Sequence, residues 1–96
     1  MQILKAISND KRLNILKWLK EPGKHFSSSH CDVAQDGVCV GLIEQKAGLS
    51  QSTASQYLLQ LKQAGLISME RRGQWTYCKL NHGFIKAFLS ELSKEL

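Results

Sequence analysis

Proline occurs once, at Pro22, and cysteine three times, at Cys31, Cys39 and Cys78. One proline against 43% apolar and 22% charged residues excludes a proline-rich linker or a disordered tail and leaves a chain able to fold. An odd number of cysteines at uneven spacing argues against a secreted disulfide framework and for reduced thiols. Long apolar runs are missing as well: none approaches the roughly 20 residues that cross a bilayer, so no membrane partner is expected. Met1-Gln2-Ile3-Leu4-Lys5 leads into charged sequence rather than an apolar core and cleavage site, so no secretory signal is expected and the expected location is the cytoplasm. Acidic residues are the minority, 8 against 13 Lys and Arg, and the formal net charge of +5 favours a polyanionic partner, nucleic acid first. Neither a nucleophile–base–orienter set nor a phosphate-cradling loop is visible, so an enzyme is not expected.

What is present reads as one domain, 1–96, whose thin core hides only roughly 60–65% of the surface its unfolded chain exposes. Ile3, Leu4 and Ile7 form a short amphipathic segment. Ser8-Asn9-Asp10 supplies acceptors for free backbone N–H groups, and Leu13, Ile15, Leu16, Trp18 and Leu19 then make a helix ending near Lys20. Pro22-Gly23 stops it, because proline disfavours helical geometry in the residue before it. Residues 24–36 show neither a helical nor a strand period, which predicts a long loop, functional or mobile. From Gly37 the helical period returns through Val38, Leu42 and Ile43 and closes at Ala47-Gly48, with Leu49 expected as a buried plug.

Ser50 is the predicted N-cap of a second helix, with Ala54, Tyr57, Leu58, Leu61 and Ala64 on its inner face and Gly65 ending it. Ile67 to Arg71 and Gln74 to Leu80 alternate with period 2 around Arg72-Gly73, a predicted hairpin with Thr76, Cys78 and Leu80 on one face and Trp75, Tyr77 and Lys79 on the other. Phe84 to Leu96 is helical again, with Phe84, Ile85, Phe88, Leu89 and Leu92 on one face.

Two short helices joined by Gly48-Leu49-Ser50 and followed by a hairpin predict a winged helix-turn-helix, mostly α with a β-hairpin wing (α+β). Such a fold places one helix in the major groove of double-stranded DNA and the hairpin against phosphates or the minor groove. The outward positions of the second helix are then Gln51, Ser52, Ser55 and Gln56, side chains able to hydrogen-bond base edges and phosphates. Thr53 falls in the first turn, where backbone N–H groups and the helix dipole favour a phosphate. Arg71, Arg72 and Gln74 sit at the wing tip as candidate backbone contacts. A winged-helix module that binds protein and no DNA is the competing reading. The terminal helices, through Ile3, Leu4, Ile7, Phe84, Ile85, Phe88, Leu89 and Leu92, would leave an apolar face exposed on a monomer, which predicts a homodimer.

Ile7-Ser8-Asn9-Asp10-Lys11-Arg12-Leu13-Asn14-Ile15-Leu16, Val38-Cys39-Val40-Gly41-Leu42-Ile43, Leu49 through Leu58, Ala64-Gly65-Leu66-Ile67 and Arg72-Gly73-Gln74-Trp75-Thr76-Tyr77 follow one another in an order and spacing that resemble the ArsR/SmtB family of bacterial winged-helix repressors. The resemblance spans nearly the whole chain except residues 24–36. It implies a homodimeric repressor that pairs through its first and last helices and whose DNA affinity falls when an effector binds. It also implies where effectors could sit. A Cys-Val-Cys metalloid motif of the family is matched here by Cys39 at its first cysteine but by Gly41 at its second. The family's C-terminal zinc positions are matched by Asn81, Gly83 and Lys94, which are not ligands.

The sensing candidates that remain are Cys31 and Cys39 with His30. They could hold a soft ion such as trivalent arsenic or zinc, a thiolate-bound cofactor. They could instead form a reversible disulfide or react with sulfur or oxidant species. Cys39 could also be simply a small buried hydrophobe beside an incidental loop thiol. In that case the protein is a regulator without a thiol-based effector. Cys78, in phase with Thr76 and Leu80, is expected to pack under the wing.

Overall fold

The computed structural model describes residues 2–29 and 31–96. The short helix α1 (Gln2–Ile7) leads into α2 (Asp10–Lys20), which opens on Asn9, whose Oδ1 accepts from the Lys11 and Arg12 N–H groups. Such a cap stabilises a helix by about 1 kcal/mol. Pro22 ends α2 as expected but also opens a helical turn, α3 (Pro22–His25), where the missing proline N–H costs nothing. Ile15 and Leu19 of α2 are buried against α4 (Val40–Ala47) and α5 (Gln51–Gln63), which form the helix-turn-helix around Gly48-Leu49-Ser50. Ile43, Ala54, Leu58 and Leu61 complete that core without solvent exposure. Leu49, expected to be fully buried, is only half-buried.

Strands β2 (Ile67–Arg72) and β3 (Trp75–Leu80) form the hairpin. Their register pairs Arg72 with Trp75, so the turn consists of Gly73-Gln74 rather than Arg72-Gly73. Gly73 takes φ +63 at the first turn position, a value that glycine adopts without strain. The chain ends in α6 (His82–Glu95), capped by Asn81 Oδ1 on the Phe84 N–H.

Two expectations are corrected. Val38-Cys39 is not the start of a helix but a short strand, β1 (Val38–Cys39), on the free edge of β3, with Val38 opposite Cys78 and Cys39 opposite Tyr77. The sheet order is β1-β3-β2. The ladder of β3 offers these residues hydrogen bonds that an isolated helix start lacks, and helix α4 begins only at Val40. Second, the loop expected over residues 24–36 starts later, because Lys24 and His25 belong to α3, and it carries packed side chains. Phe26 is buried and meets Trp18 edge-on at 6.2 Å, with the Lys46 ammonium 5.3 Å from the Trp18 ring centre and 5.8 Å from that of Phe26.

Asp32 Oδ1 then accepts from the Ala34 and Gln35 N–H groups, and Asp36 Oδ2 accepts from the Asp32 N–H. This closes a compact turn that buries Val33. Gly37 joins the turn to β1 at φ +97, and a Cβ there would lie 2.9 Å from the Cys78 carbonyl oxygen. Only glycine permits that approach. Tyr77, beneath the Arg72 guanidinium, is buried together with Cys78, so the simple alternation of β3 into one inner and one outer face does not hold.

Candidate nucleic-acid interface

Helix α5 starts at Ser50, whose Oγ accepts from the Thr53 N–H at 3.2 Å and donates to Thr53 Oγ1 at 3.0 Å. Thr53 is therefore occupied by the cap, and the N–H groups of Gln51 and Ser52 are the first-turn donors that face outward. Burial of Ala54, Leu58 and Leu61 fixes the rotation of the helix, and Gln51, Ser52, Ser55 and Gln56 are all exposed. Strand alternation sends Arg71 and Arg72 to opposite faces of β2.

The result is one open cleft of about 640 Å³ between α5 and the wing. Gln51, Ser55 and Lys62 line one side of it, Arg71, Gln74 and Thr76 the other, with Cys39 contributed by β1 and Glu44 by the middle of α4. Ser52 and Gln56 lie outside the cleft on the next stripe of the helix. Among the described residues, Arg71 spends only its Nε, on the Gly73 carbonyl oxygen at 3.3 Å.

Arg72 is placed differently. Its Nη2 donates to the Asp36 carbonyl oxygen at 2.8 Å, its Nη1 stands 3.5 Å from Asp36 Oδ1 and its Nε 3.5 Å from Glu70 Oε1. The guanidinium lies over the Tyr77 ring at 4.6 Å from its centre. The hydrogen bond from the Asp32 N–H, with Arg72 beside it, holds the Asp36 carboxyl below the usual carboxylate range.

Sequence reasoning left Leu59 and Trp75 out of the cleft, yet both line it, 49% and 40% exposed. The signal was available for Leu59, which falls four residues after Ser55 and eight after Gln51 on the same stripe. Thymine methyl groups and deoxyribose are the apolar surfaces that such side chains meet in a duplex.

Of the expected dimer residues, Leu4, Phe84 and Leu89 are exposed, 51%, 39% and 56%. Ile3 instead belongs to the core of its own chain, and Ile7, Ile85 and Phe88 are half-buried against it. Leu92 is half-buried, and no residue of α6 is fully buried.

The sensing candidates lie on separate segments, Cys31 in the loop and Cys39 in β1. His30 lies outside the described residues. Cys31 is half-buried, with Sγ 3.4 Å from Ser28 Oγ and 4.0 Å from the Gly37 carbonyl oxygen. Cys39 is buried as the residue preceding α4. Burial pushes the Cys78 thiol up to about 12, with Cys39 adding to the shift. Among the described residues, no three His, Cys, Asp or Glu side chains gather as a metal site.

No protein-family model matches the chain. It is 45% identical over 97 residues to YbzH, an uncharacterized HTH-type transcriptional regulator of Bacillus subtilis, covering 100% of this chain and 97% of that protein. It is 32% identical to the arsenical resistance operon repressor of the same organism, covering 94% of this chain and 73% of that one. The chain belongs to the ArsR family of winged-helix transcriptional regulators. Among solved structures, this ArsR-family fold resembles a homodimeric winged helix-turn-helix DNA-binding domain of Mycobacterium bovis, a possible ArsR-family regulator, with a TM-score of 0.65 and 27% identity over 98% of this chain and 77% of that one. No helix of this ArsR-family chain, among the described residues, is long and apolar enough to cross a membrane.

Proposed function

We propose that the protein is a homodimeric, sequence-specific repressor that binds double-stranded DNA in the cytoplasm, with Gln51, Ser52, Ser55 and Gln56 at the major groove, Thr53 held by the Ser50 cap behind them, and Arg71 and Gln74 on the adjoining backbone. The observation that carries this reading is that the polar face of α5 and the cationic face of the wing open into one cleft, with Lys62 and Arg71 on opposite sides. A duplex laid there meets base-reading side chains and phosphate-neutralising ones together. The exposed Leu4, Phe84 and Leu89, together with an apolar groove lined by Ile7, Leu16, Leu66, Phe88 and Leu89, support pairing with a second copy, as in the homodimeric M. bovis domain. Two-fold symmetry would set the recognition helices roughly 34 Å apart, one DNA turn.

For the effector, the proposal is a thiol-directed signal, a soft metalloid or an oxidant, received at Cys31, with Cys39 as the second candidate thiol. Cys31 is the least enclosed of the three thiols and sits at the foot of the turn that Gly37 joins to β1.

Fluorescence anisotropy with duplex DNA across a salt series tests the DNA reading. Expected is binding whose log K falls by about 0.9 for each phosphate neutralised. Absence of binding at the lowest salt would overturn it in favour of a protein-interaction module.

A further inference from the structure

Two adjacent arginines at the wing tip have unequal freedom. Arg71 faces the α5 cleft and, among the described residues, its terminal nitrogens meet no acceptor, whereas every nitrogen of Arg72 has a partner on its own chain. The partners are the Asp36 carbonyl oxygen, the Asp36 carboxylate and the Glu70 carboxylate, and the Tyr77 ring supports the guanidinium plane from below. Asp36 is itself fixed by its bond from the Asp32 N–H, in a turn anchored by Val33 and Gly37. A carboxylate with a neighbouring carbonyl oxygen presents a guanidinium with the same acceptor chemistry as a phosphate diester.

We infer that Asp36 takes the place of a DNA phosphate on Arg72, so that each wing presents one arginine to the duplex instead of two. Asp36 is thus a positioning residue: it acts on DNA affinity through Arg72 and does not touch the duplex. The inference rests on the DNA-binding reading and adds to it that the segment 31–37 sets the number of phosphates the wing neutralises. The competition is local. The turn is held beside the wing by the chain itself, whereas a phosphate arrives from solution.

The test is the salt dependence of duplex binding for the wild type, Asp36→Asn, Arg72→Gln and the double variant. Asparagine keeps the shape of the side chain and its ability to accept from Asp32 but removes the charge. Asp36→Asn is expected to steepen the slope of log K against log salt by about 0.9 per wing, an additional three- to fourfold loss of affinity between 50 and 200 mM salt. Arg72→Gln alone is expected to leave the wild-type slope unchanged, and the double variant to return to it. An unchanged slope in Asp36→Asn, or equal steepening with and without Arg72, overturns the inference, the latter because it would be a general effect of net charge. Arg72→Gln lowering the wild-type slope overturns it as well, and that arm does not require Asp36→Asn to fold. Wild type that binds no duplex at all is a separate outcome: it overturns the DNA reading and this inference with it.

Discussion

The Arg12 guanidinium stands 5.2 Å from the centre of the Tyr57 ring. Its Nε donates to the Ala6 carbonyl oxygen at 2.7 Å and its Nη2 to the Lys5 carbonyl oxygen at 3.1 Å. One side chain on α2 therefore completes the last turn of α1 and packs on the recognition helix, linking the helix proposed to dimerise to the helix proposed to read DNA. Carbonyls at a helix end lack partners within the helix, and a cation there also meets the negative end of the dipole.

Arg12→Ala should lower the unfolding free energy by about 2 kcal/mol, because it removes two charge-assisted bonds and the guanidinium packed on the Tyr57 ring. Arg12→Lys should recover less than half of that, because an ammonium cannot serve two carbonyls and a ring face in one plane. Urea melts of the three proteins check both statements.

Arg71 and Gln56 should separate affinity from specificity. Arg71→Ala is expected to weaken binding to all duplexes alike and to reduce the salt slope by about 0.9 for each phosphate that the arginine neutralises. Gln56→Ala should instead change which base is preferred at one position, by about 1–3 kcal/mol if the amide is bidentate to adenine, with the slope kept. Binding to a randomised operator pool at two salt concentrations reads both.

Leu89→Glu should shift the protein from dimer to monomer in sedimentation velocity with its helical content retained. Leu89 is 56% exposed and no α6 residue is fully buried, so the charge costs the single chain little but would be trapped in a paired interface. A dimer that survives the change would place the interface elsewhere.

Thiol labelling at pH 8 should modify Cys31 first, followed by mass spectrometry to locate the adduct. Cys39 and Cys78 should react only as the protein unfolds. With its thiol at about 12, Cys78 holds about one part in ten thousand thiolate at that pH. The same shift has a stability consequence. The folded value lies above the ordinary 9.0, so the proton is held more tightly in the folded state; stability from this group is complete below pH 9 and declines as pH rises from 9 towards 12.

The helix-turn-helix, the hairpin and the apolar terminal helix were legible because each is specified by neighbours in sequence: Ser50 three residues before Thr53, Leu58 and Leu61 on one helical stripe, a glycine at the turn. The outward set Gln51, Ser52, Ser55 and Gln56 follows once that stripe is buried. Three features were not legible: the strand at Val38-Cys39, the placing of the 31–37 turn with Asp36 on Arg72, and the different employment of Arg71 and Arg72. Each depends on what stands opposite in space. Val38 meets Cys78, and Arg72 meets Asp36, each across a wide separation in sequence.

The sequence by itself therefore determined the element order, the inner face of each element and the positive charge near the wing tip, since propensity, caps and apolar period act over three or four residues. Only the tertiary structure decided which charges remain available. Strand alternation sends consecutive arginines to opposite faces, but whether a face meets solvent or a carboxylate depends on which distant segment packs there. Here the 31–37 turn packs on one face and leaves the other open to α5.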